Sequence, residues 1–532
     1  MSDLPEHWAV APLRDLVSKL VDGSHNPPPK KPHGLPMLSA INIANNDIEM
    51  STFRLIDPDA FALEDQRTRI APGDVLLTIV GAIGRTAIVP KNVVPFTLQR
   101  SVAVLSPILV DSKFLMYQLE APRLARYLAD NARGTAQKGV YLKTLGQMQV
   151  WIPPLEEQRR IVGKIEELFS KLDKGVESLT TAREQLKAYR QSILKAAFEG
   201  KLTEDWRAQN VDKLEGPEAL MGRIKLERED YFKEAMAEWK DSLSRWSANG
   251  ENGSKPSKPK SLNDYPPKFH DLRIRLPELP IGWAWSHLGW CSMGPEYGTA
   301  AKSSETGAVP VVRMGNLQGG CIDWSDLVYT SDQQEIKQYS LRPGDVLFNR
   351  TNSPELVGKT SIYKGEREAV FAGYLVRVNH IERIALGKYL TYFLSSPIAR
   401  EHGNTVKTDG VNQSNINATK LQEYPFPFCS VAEQAVIVRI LDGKLSAADA
   451  MESEIETGLA RAAALRQSIL KRAFSGQLIA QDPADEPATK LLERIRFERE
   501  NGGTIKQRNS RKNKSETAPS HRRKIVTEVT DA

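Results

Sequence analysis

Apolar positions in this chain follow two rhythms. From Leu155 to Gly200 they recur every three or four residues, with Ile165, Leu168, Leu172, Leu179, Leu186 and Ile193 on one seam and Gly175, Ala182, Tyr189 and Ala196 filling it. That spacing predicts one long helix. Pro153-Pro154 stand before it and Gly200 after it, as suits a helix start and a C-terminal cap. A second stretch, Ser430 to Gly476, repeats the rhythm through Leu441, Ile455, Ala462, Leu465 and Ile469 and opens on Ser430-x-x-Glu433, a capping-box pattern. Each helix would run to roughly 65 Å at 1.5 Å per residue. A narrow seam on a lone helix leaves an apolar stripe in water, so the two helices are expected to pack on each other; antiparallel packing would place the two globular domains at opposite ends.

Ahead of each helix the rhythm is different. Residues 1–154 hold short apolar runs such as LPMLSAI, DVLLTIV, RTAIVP and SVAVLSP between Pro, Gly and Asn, which predicts strands joined by turns. Lys113 to Asp130 has helical spacing interrupted at Pro122 and predicts two short helices. The polar stretch NARGTAQKGVYLKTL predicts an exposed loop leading into a short helix. Residues 279–429 form a second such α/β domain. Between the first long helix and this domain lie a charged helix over about 217–246 and a Ser/Lys/Pro/Gly segment, 247–268, flexible by composition. The resulting plan is 1–154 domain, 155–201 helix, 202–278 linker, 279–429 domain, 430–477 helix, and 478–532 a C-terminal helix with a basic tail.

The plan is a duplication. RQSILKAAFEGKL at Arg190 to Leu202 returns as RQSILKRAFSGQL at Arg466 to Leu478, ten of thirteen positions identical at an offset of 276. Glu157-Gln158 answers Glu433-Gln434, PGDVL at Pro72 answers PGDVL at Pro343, Asn42 answers Asn316, and LPEHW at Leu4 answers LPIGW at Leu279. GRIKLERE (222–229) is echoed by ERIRFERE (493–500). So long a period marks a duplicated half, not a solenoid unit. Matches are dense from residue 155 onward and sparse before it.

Composition narrows the chemistry. Hydrophobic and charged contents of 40% and 26% are those of an ordinary globular protein. No apolar run reaches about 18 residues and no basic-then-apolar leader opens the chain, so the expected location is cytoplasmic. Cys291, Cys321 and Cys429 form no CxxC pair and read as packing residues, and the eight histidines form no HxH or HExxH. Net charge is +6, but 501–532 holds eight Lys/Arg against three Asp/Glu, so the rest is nearly neutral. A nucleic-acid surface in the body would need charge segregated onto one face.

Two fragments resemble enzyme motifs and fail on inspection. Asn26-Pro27-Pro28-Pro29 is similar to the Asn-Pro-Pro-aromatic signature of amino-methyltransferases, but a proline replaces the aromatic, and it reads as a surface loop. Ser353 to Thr360 lacks the first glycine of a P-loop, and Gly358-Lys359-Thr360 corresponds to Gly84-Arg85-Thr86, a turn carrying a basic residue in both halves. The positive signal is a pair of equivalent loop sets rich in Arg, Lys, Asn and Gln: 78–85 with Arg100 and 133–143 in one domain, 349–359 and 407–417 in the other. These side chains contact phosphates and base edges. The candidate DNA-contacting residues are Arg85, Arg133, Lys138, Lys143, Arg350, Lys359, Lys407, Asn412, Gln413 and Asn415. The lysines are assigned to phosphates, and Arg, Asn and Gln to bases.

PPLEEQ at Pro153, the two RQSILK helices and the two divergent domains together resemble the specificity (S) subunit of type I restriction-modification enzymes, over essentially the whole chain; FCSVAEQ departs from PPLxEQ but keeps Glu433-Gln434. The resemblance implies two α/β (α+β) target recognition domains, each reading half of a bipartite DNA sequence. They are separated by two helices forming an antiparallel coiled coil, related by a pseudo-twofold repeat, that fixes half-site spacing and docks two methyltransferase subunits. It implies a non-catalytic subunit. S-adenosylmethionine chemistry on adenine belongs to the methyltransferase partners, and ATP- and Mg-dependent cleavage to motor-nuclease subunits. Two other readings stand beside it: a stand-alone DNA methyltransferase, against which the missing motifs count, and a coiled-coil scaffold, against which the paired polar loops count.

Overall fold

The runs of apolar residues in the first domain become strands because alternate side chains can be buried on one face of a sheet. In the computed structural model, Val17–Asp22, Val102–Pro107, Val75–Thr78 and Thr86–Ile88 lie side by side in that order, all antiparallel. Arg54–Ile56, Leu35–Leu38 and Thr97–Leu98 form a second sheet, its last pair parallel. Helices Ser112–Glu120 and Pro122–Asp130 meet at Ala121, where the following proline ends the first and begins the second. Ala9–Pro12 pairs with Gln149–Ile152, so the domain opens and closes on neighbouring strands.

The structure describes residues 4–512 except 136, 253–254, 266–268, 270–271 and 412, with the backbone alone over 502–512. It comprises two compact units, 1–179 with 456–532, and 180–455. The second unit repeats the first strand for strand. Ser292–Tyr297, Leu375–His380, Val346–Asn349 and Thr360–Ile362 make the four-stranded sheet, and Val328–Thr330, Val309–Val312 and Val370–Phe371 the three-stranded one. Ala284–His287 closes on Pro425–Phe428. One sheet is added, Thr351–Asn352, Ser414–Asn415 and Thr408–Asp409.

The residues shared between the halves hold this frame. Asn42 and Asn316 are both buried; their amides donate to the Glu49 and Thr52 carbonyls and to the Asp323 and Asp326 carbonyls, closing the same loop twice. Asp74 and Asp345 of the two PGDVL turns each accept from a backbone amide three residues earlier and each meet a cation, Lys19 or Arg377, at 2.8 Å. Gln158 and Gln434 grip backbone at the heads of the long helices: Gln434 donates to the Ile384 and Cys429 carbonyls and accepts from Leu386 N. Gln158 does the same with Pro153 and Asp111. Glu157 accepts from the Trp8 indole, and buried Glu433 accepts from Thr203 and Arg207, each at 2.6 Å.

The long helices are Leu155–Phe198 and Val431–Ala473, followed by Gly200 and Gly476 in the left-handed conformation that glycine alone adopts without strain. Within each unit their segments run antiparallel. Leu179 meets Gly458 while Asp173 meets Arg466, so the partner number falls as the first rises. In the second unit Arg190 binds Asp449 at 2.6 Å and Glu452 at 2.9 Å. Arg190 and Arg466 are repeat equivalents, as are Asp173 and Asp449, so one ion pair occurs twice. Of the expected seam, Ile165, Leu186, Ile193 and Ile455 are buried and Leu168, Leu172, Leu179 and Ile469 half-buried. Tyr189, 43% exposed, is not in the seam, and neither is its repeat equivalent Leu465: it is 48% exposed. Arg466 takes the position beside it, its guanidinium 4.0 Å over the Phe169 ring and 2.9 Å from Asp173.

Helix Pro217–Ala248 and its echo Ala488–Lys512 each turn one apolar edge inward, Leu220 and Ile224 in one, Leu491 and Ile495 in the other. The second runs past Asn501 into the stretch expected as basic tail, and residues after 512 lie outside those described. The linker, flexible by composition, is fastened at several points: Trp239 Nε1 donates to the Pro256 carbonyl at 3.0 Å and Lys260 Nζ to the Pro295 carbonyl at 3.2 Å. Buried Arg228 donates to the Asn263 carbonyl at 2.8 Å and lies 5.7 Å from the Tyr265 ring and 5.3 Å from that of Trp290. Among the described residues no helix is long and apolar enough to cross a membrane.

His402, 6% exposed with its ring edge-on to Tyr424, has its pKa pushed down by burial to about 4. Below about 6.5 the unfolded chain takes up this proton and the folded one does not, so stability is fully present above that pH and falls progressively as pH drops toward 4. His402→Gln should remove up to about 3 kcal/mol of that acid dependence. Urea unfolding at pH 7.5 and 4.5 measures it, and an unchanged acid slope in the variant would contradict the assignment.

Candidate nucleic-acid interface

In each domain the polar loops sit at one end of the four-stranded sheet, where strand hairpins turn. The turn after Val75–Thr78 is closed by Thr78 N to the Arg85 carbonyl and Gly84 N to the Thr78 carbonyl, both 2.9 Å. Its counterpart has Asn349 N to the Lys359 carbonyl and Gly358 N to the Asn349 carbonyl, both 2.8 Å. Arg85 and Lys359 are therefore equivalent, and the turn that looked like a P-loop is a hairpin shared by both domains.

The second loop of each set folds against this hairpin. In the first domain Gly139 bridges to Val80 and to Arg133, and Gly81 N donates to the Lys138 carbonyl at 3.1 Å. Arg85, Arg133, Lys138 and Lys143 all lie exposed, with no ion pair or side-chain hydrogen bond among the described residues. In the second domain the added three-stranded sheet joins 351–352 to 408–409 and 414–415. Asn415 donates to Thr351 Oγ1 at 2.7 Å, and Lys407 Nζ to the Pro354 carbonyl at 3.1 Å. Lys359 Nζ donates to Gln318 Oε1 at 3.1 Å. Gln413 is exposed beside fully exposed Val411 at the tip, and Asn412 lies outside the described residues. In each domain the two loops that carry the candidates are thus joined by backbone bonds. The lysines and Asn415 of the second domain are held by neutral partners, which orient a charge or amide without cancelling it.

Sequence reasoning missed the aromatic residues there. Tyr297 is 41% exposed and Tyr374 53% exposed, and both flank Arg350. Tyr141 is exposed beside the basic loop of the first domain. Aromatic residues interleaved with the basic loops were the available signal, but a tyrosine in a sheet is usually core. Asn349, at the start of the polar stretch, is fully buried and belongs to the frame.

The profile of the type I restriction modification DNA specificity domain matches residues 5–188 and 293–460, one copy over each half. The chain belongs to this family. The specificity subunit of the type I restriction enzyme EcoKI from Escherichia coli (strain K12) is 26% identical over 524 residues, covering 94% of this chain and 97% of that protein. That of EcoBI, from Escherichia coli, is 31% identical over 233 residues, 42% of this chain and 49% of its own. A solved chain from work on assembly and conformational transition of the type I R-M system shares the fold, with a TM-score of 0.57 at 18% identity over 89% of this chain and 99% of its own. For a type I specificity subunit, a doubled frame with two unlike loop surfaces is the expected division of labour: matched residues build the scaffold, and diverged loops face outward.

Proposed function

We propose that this specificity subunit reads a two-part DNA target, one half-site through the loops 78–85 and 133–143 with Arg100, the other through 349–359 and 407–417. The observation that carries it is the equivalence of the two loop sets on one backbone frame with different side chains: equal geometry delivers each domain to a major groove, and unequal chemistry reads different bases. Lys138, Lys143, Lys359 and Lys407 contact phosphates, which fix register. The arginines, Asn412, Gln413 and Asn415 contact base edges. The paired long helices are the spacer between half-sites and, with their duplicated surface, dock two methyltransferase subunits. Adenine methylation with S-adenosylmethionine then belongs to those partners, and ATP- and Mg-driven cleavage to motor-nuclease subunits, while this chain supplies the address.

The test is to assemble the chain with its cognate methyltransferase subunit and map adenine methylation across a genome. Methylation at a split motif with a fixed gap is expected; methylation without sequence preference would leave only a scaffold. Lys359→Ala is expected to weaken binding of all sequences alike and to lower the salt slope of log Kd by about one. Titrations at four salt concentrations read this, and a changed base preference at constant slope would move Lys359 from phosphate to base.

A further inference from the structure

Matched backbone bonds allow the two recognition surfaces to be compared residue by residue. Ile79 N donates to the Ser101 carbonyl at 2.8 Å and Val140 N to the Ile79 carbonyl at 2.9 Å; Arg350 N donates to the Tyr374 carbonyl at 3.1 Å and Ile416 N to the Arg350 carbonyl at 2.9 Å. Arg350 therefore occupies the place of Ile79, and Tyr374 that of Ser101. Ser24 N donates to the Leu98 carbonyl and Thr299 N to the Phe371 carbonyl, and each residue bridges in parallel to the next, Gln99 or Ala372. Tyr297, two residues earlier, thus occupies the place of Asp22. One frame carries Ile79, Ser101 and Asp22 in the first domain and Arg350, Tyr374 and Tyr297 in the second.

Arg350 is oriented but not neutralised. Its guanidinium carbon lies 4.9 Å from the centre of the Tyr297 ring, and that ring is held by Ala418 N, which donates to the phenol oxygen at 3.3 Å. The Arg350 Nε is buried without a hydrogen bond, and no carboxylate pairs with the fork among the described residues. The corresponding place in the first domain lacks this chemistry: Ile79 is buried, and Asp22 is engaged by Arg67 at 2.6 Å and His25 at 2.8 Å. A planar fork fixed by an aromatic face, with its donors unspent, matches O6 and N7 on the major-groove edge of guanine, which accept two parallel N–H groups. Phosphate recognition needs no such planar constraint and is served in the same surface by Lys359 and Lys407.

We infer that Arg350 reads a guanine in the half-site of the second domain, that Tyr297 is the residue positioning it, and that the first domain reads its half-site without an arginine at this place. This rests on the two-part reading above. The test is methylation mapping and competitive binding with the assembled complex carrying Arg350→Ala, Arg350→Lys, Tyr297→Ala or Tyr297→Phe. Arg350→Ala is expected to relax one G·C position of one half-site, lowering discrimination there roughly ten- to a hundredfold while the other half-site and the gap stay unchanged. Arg350→Lys should keep affinity and lose most of that discrimination, because a point charge does not make the paired contact. Tyr297→Ala should relax the same position, and Tyr297→Phe, which keeps the ring face but gives up the bond from Ala418 N, should retain most of the discrimination; general damage to the fold would not single out one base pair. Uniform weakening with a reduced salt slope would make Arg350 a phosphate contact and overturn the inference, as would unchanged preference at every position. A wild-type complex marking no split motif would overturn the two-part reading itself, whereas a split motif indifferent to Arg350 would overturn only this assignment.

Discussion

Arg207→Ala is expected to destabilise the second unit by about 3–5 kcal/mol, among the largest effects of any single truncation in the chain. Its partner, Glu433, is fully buried at the head of the second long helix. Arg207 Nη1 donates to Glu433 Oε1 at 2.6 Å and to Thr203, and Nη2 donates to the Gly200 carbonyl at 2.5 Å, so one guanidinium ties one carboxylate oxygen to the end of the repeat motif, while Glu433 Oε2 is buried without a hydrogen bond. Removing it leaves a charge in the interior with Thr203 as its remaining donor, and desolvation then goes uncompensated. The double variant Arg207→Met/Glu433→Leu should recover most of the loss, because it is the orphaned charge that costs stability. Urea unfolding of both variants measures this. A loss under about 1 kcal/mol for Arg207→Ala would mean that water reaches Glu433.

Exchanging residues 1–154 for the corresponding domain of another specificity subunit is expected to replace one half of the methylated motif and leave the other half and the gap unaltered. The original half-site should then be bound roughly a thousandfold or more less tightly relative to the new one, the margin separating specific from non-specific DNA. The closure of the domain makes the exchange feasible. Ala9–Pro12 pairs with Gln149–Ile152 over four residues, so any domain that ends in the same two strands presents the same junction to the helix head. Methylome sequencing decides the outcome, and a change in both halves of the motif would show that the domains do not read independently.

The duplication made much of this legible. Both long helices, their glycine caps, the helix over about 217–246 and the correspondence of Lys359 with Arg85 follow from periodicity and repeat alignment. The misplacement of Leu465 in the seam has a physical reason. Leu465 is the more apolar of two neighbours, but the seam advances by four residues at that step, and Arg466 fills it with an aliphatic stem and a guanidinium stacked on Phe169. Tyr297 and Tyr374 were hidden because exposure of an aromatic depends on which strand hairpins stand beside it. The shared motifs carried an opposite lesson. Asn42, Asn316, Asp74 and Asp345 are polar residues of the kind that contact DNA, yet every one of them closes a loop of the frame.

The pinned linker alters what can vary in the second domain. Gly289 has ordinary backbone angles, but a Cβ there would lie 2.0 Å from the Tyr265 ring and 2.1 Å from its hydroxyl. The choice of residue at 289 is therefore dictated from twenty-four positions upstream, by a segment whose composition reads as a tether. Any lineage that shortened or rewrote that tether would free 289 to acquire a side chain, and any that kept it would be obliged to keep the glycine, so the two stretches must drift together or not at all.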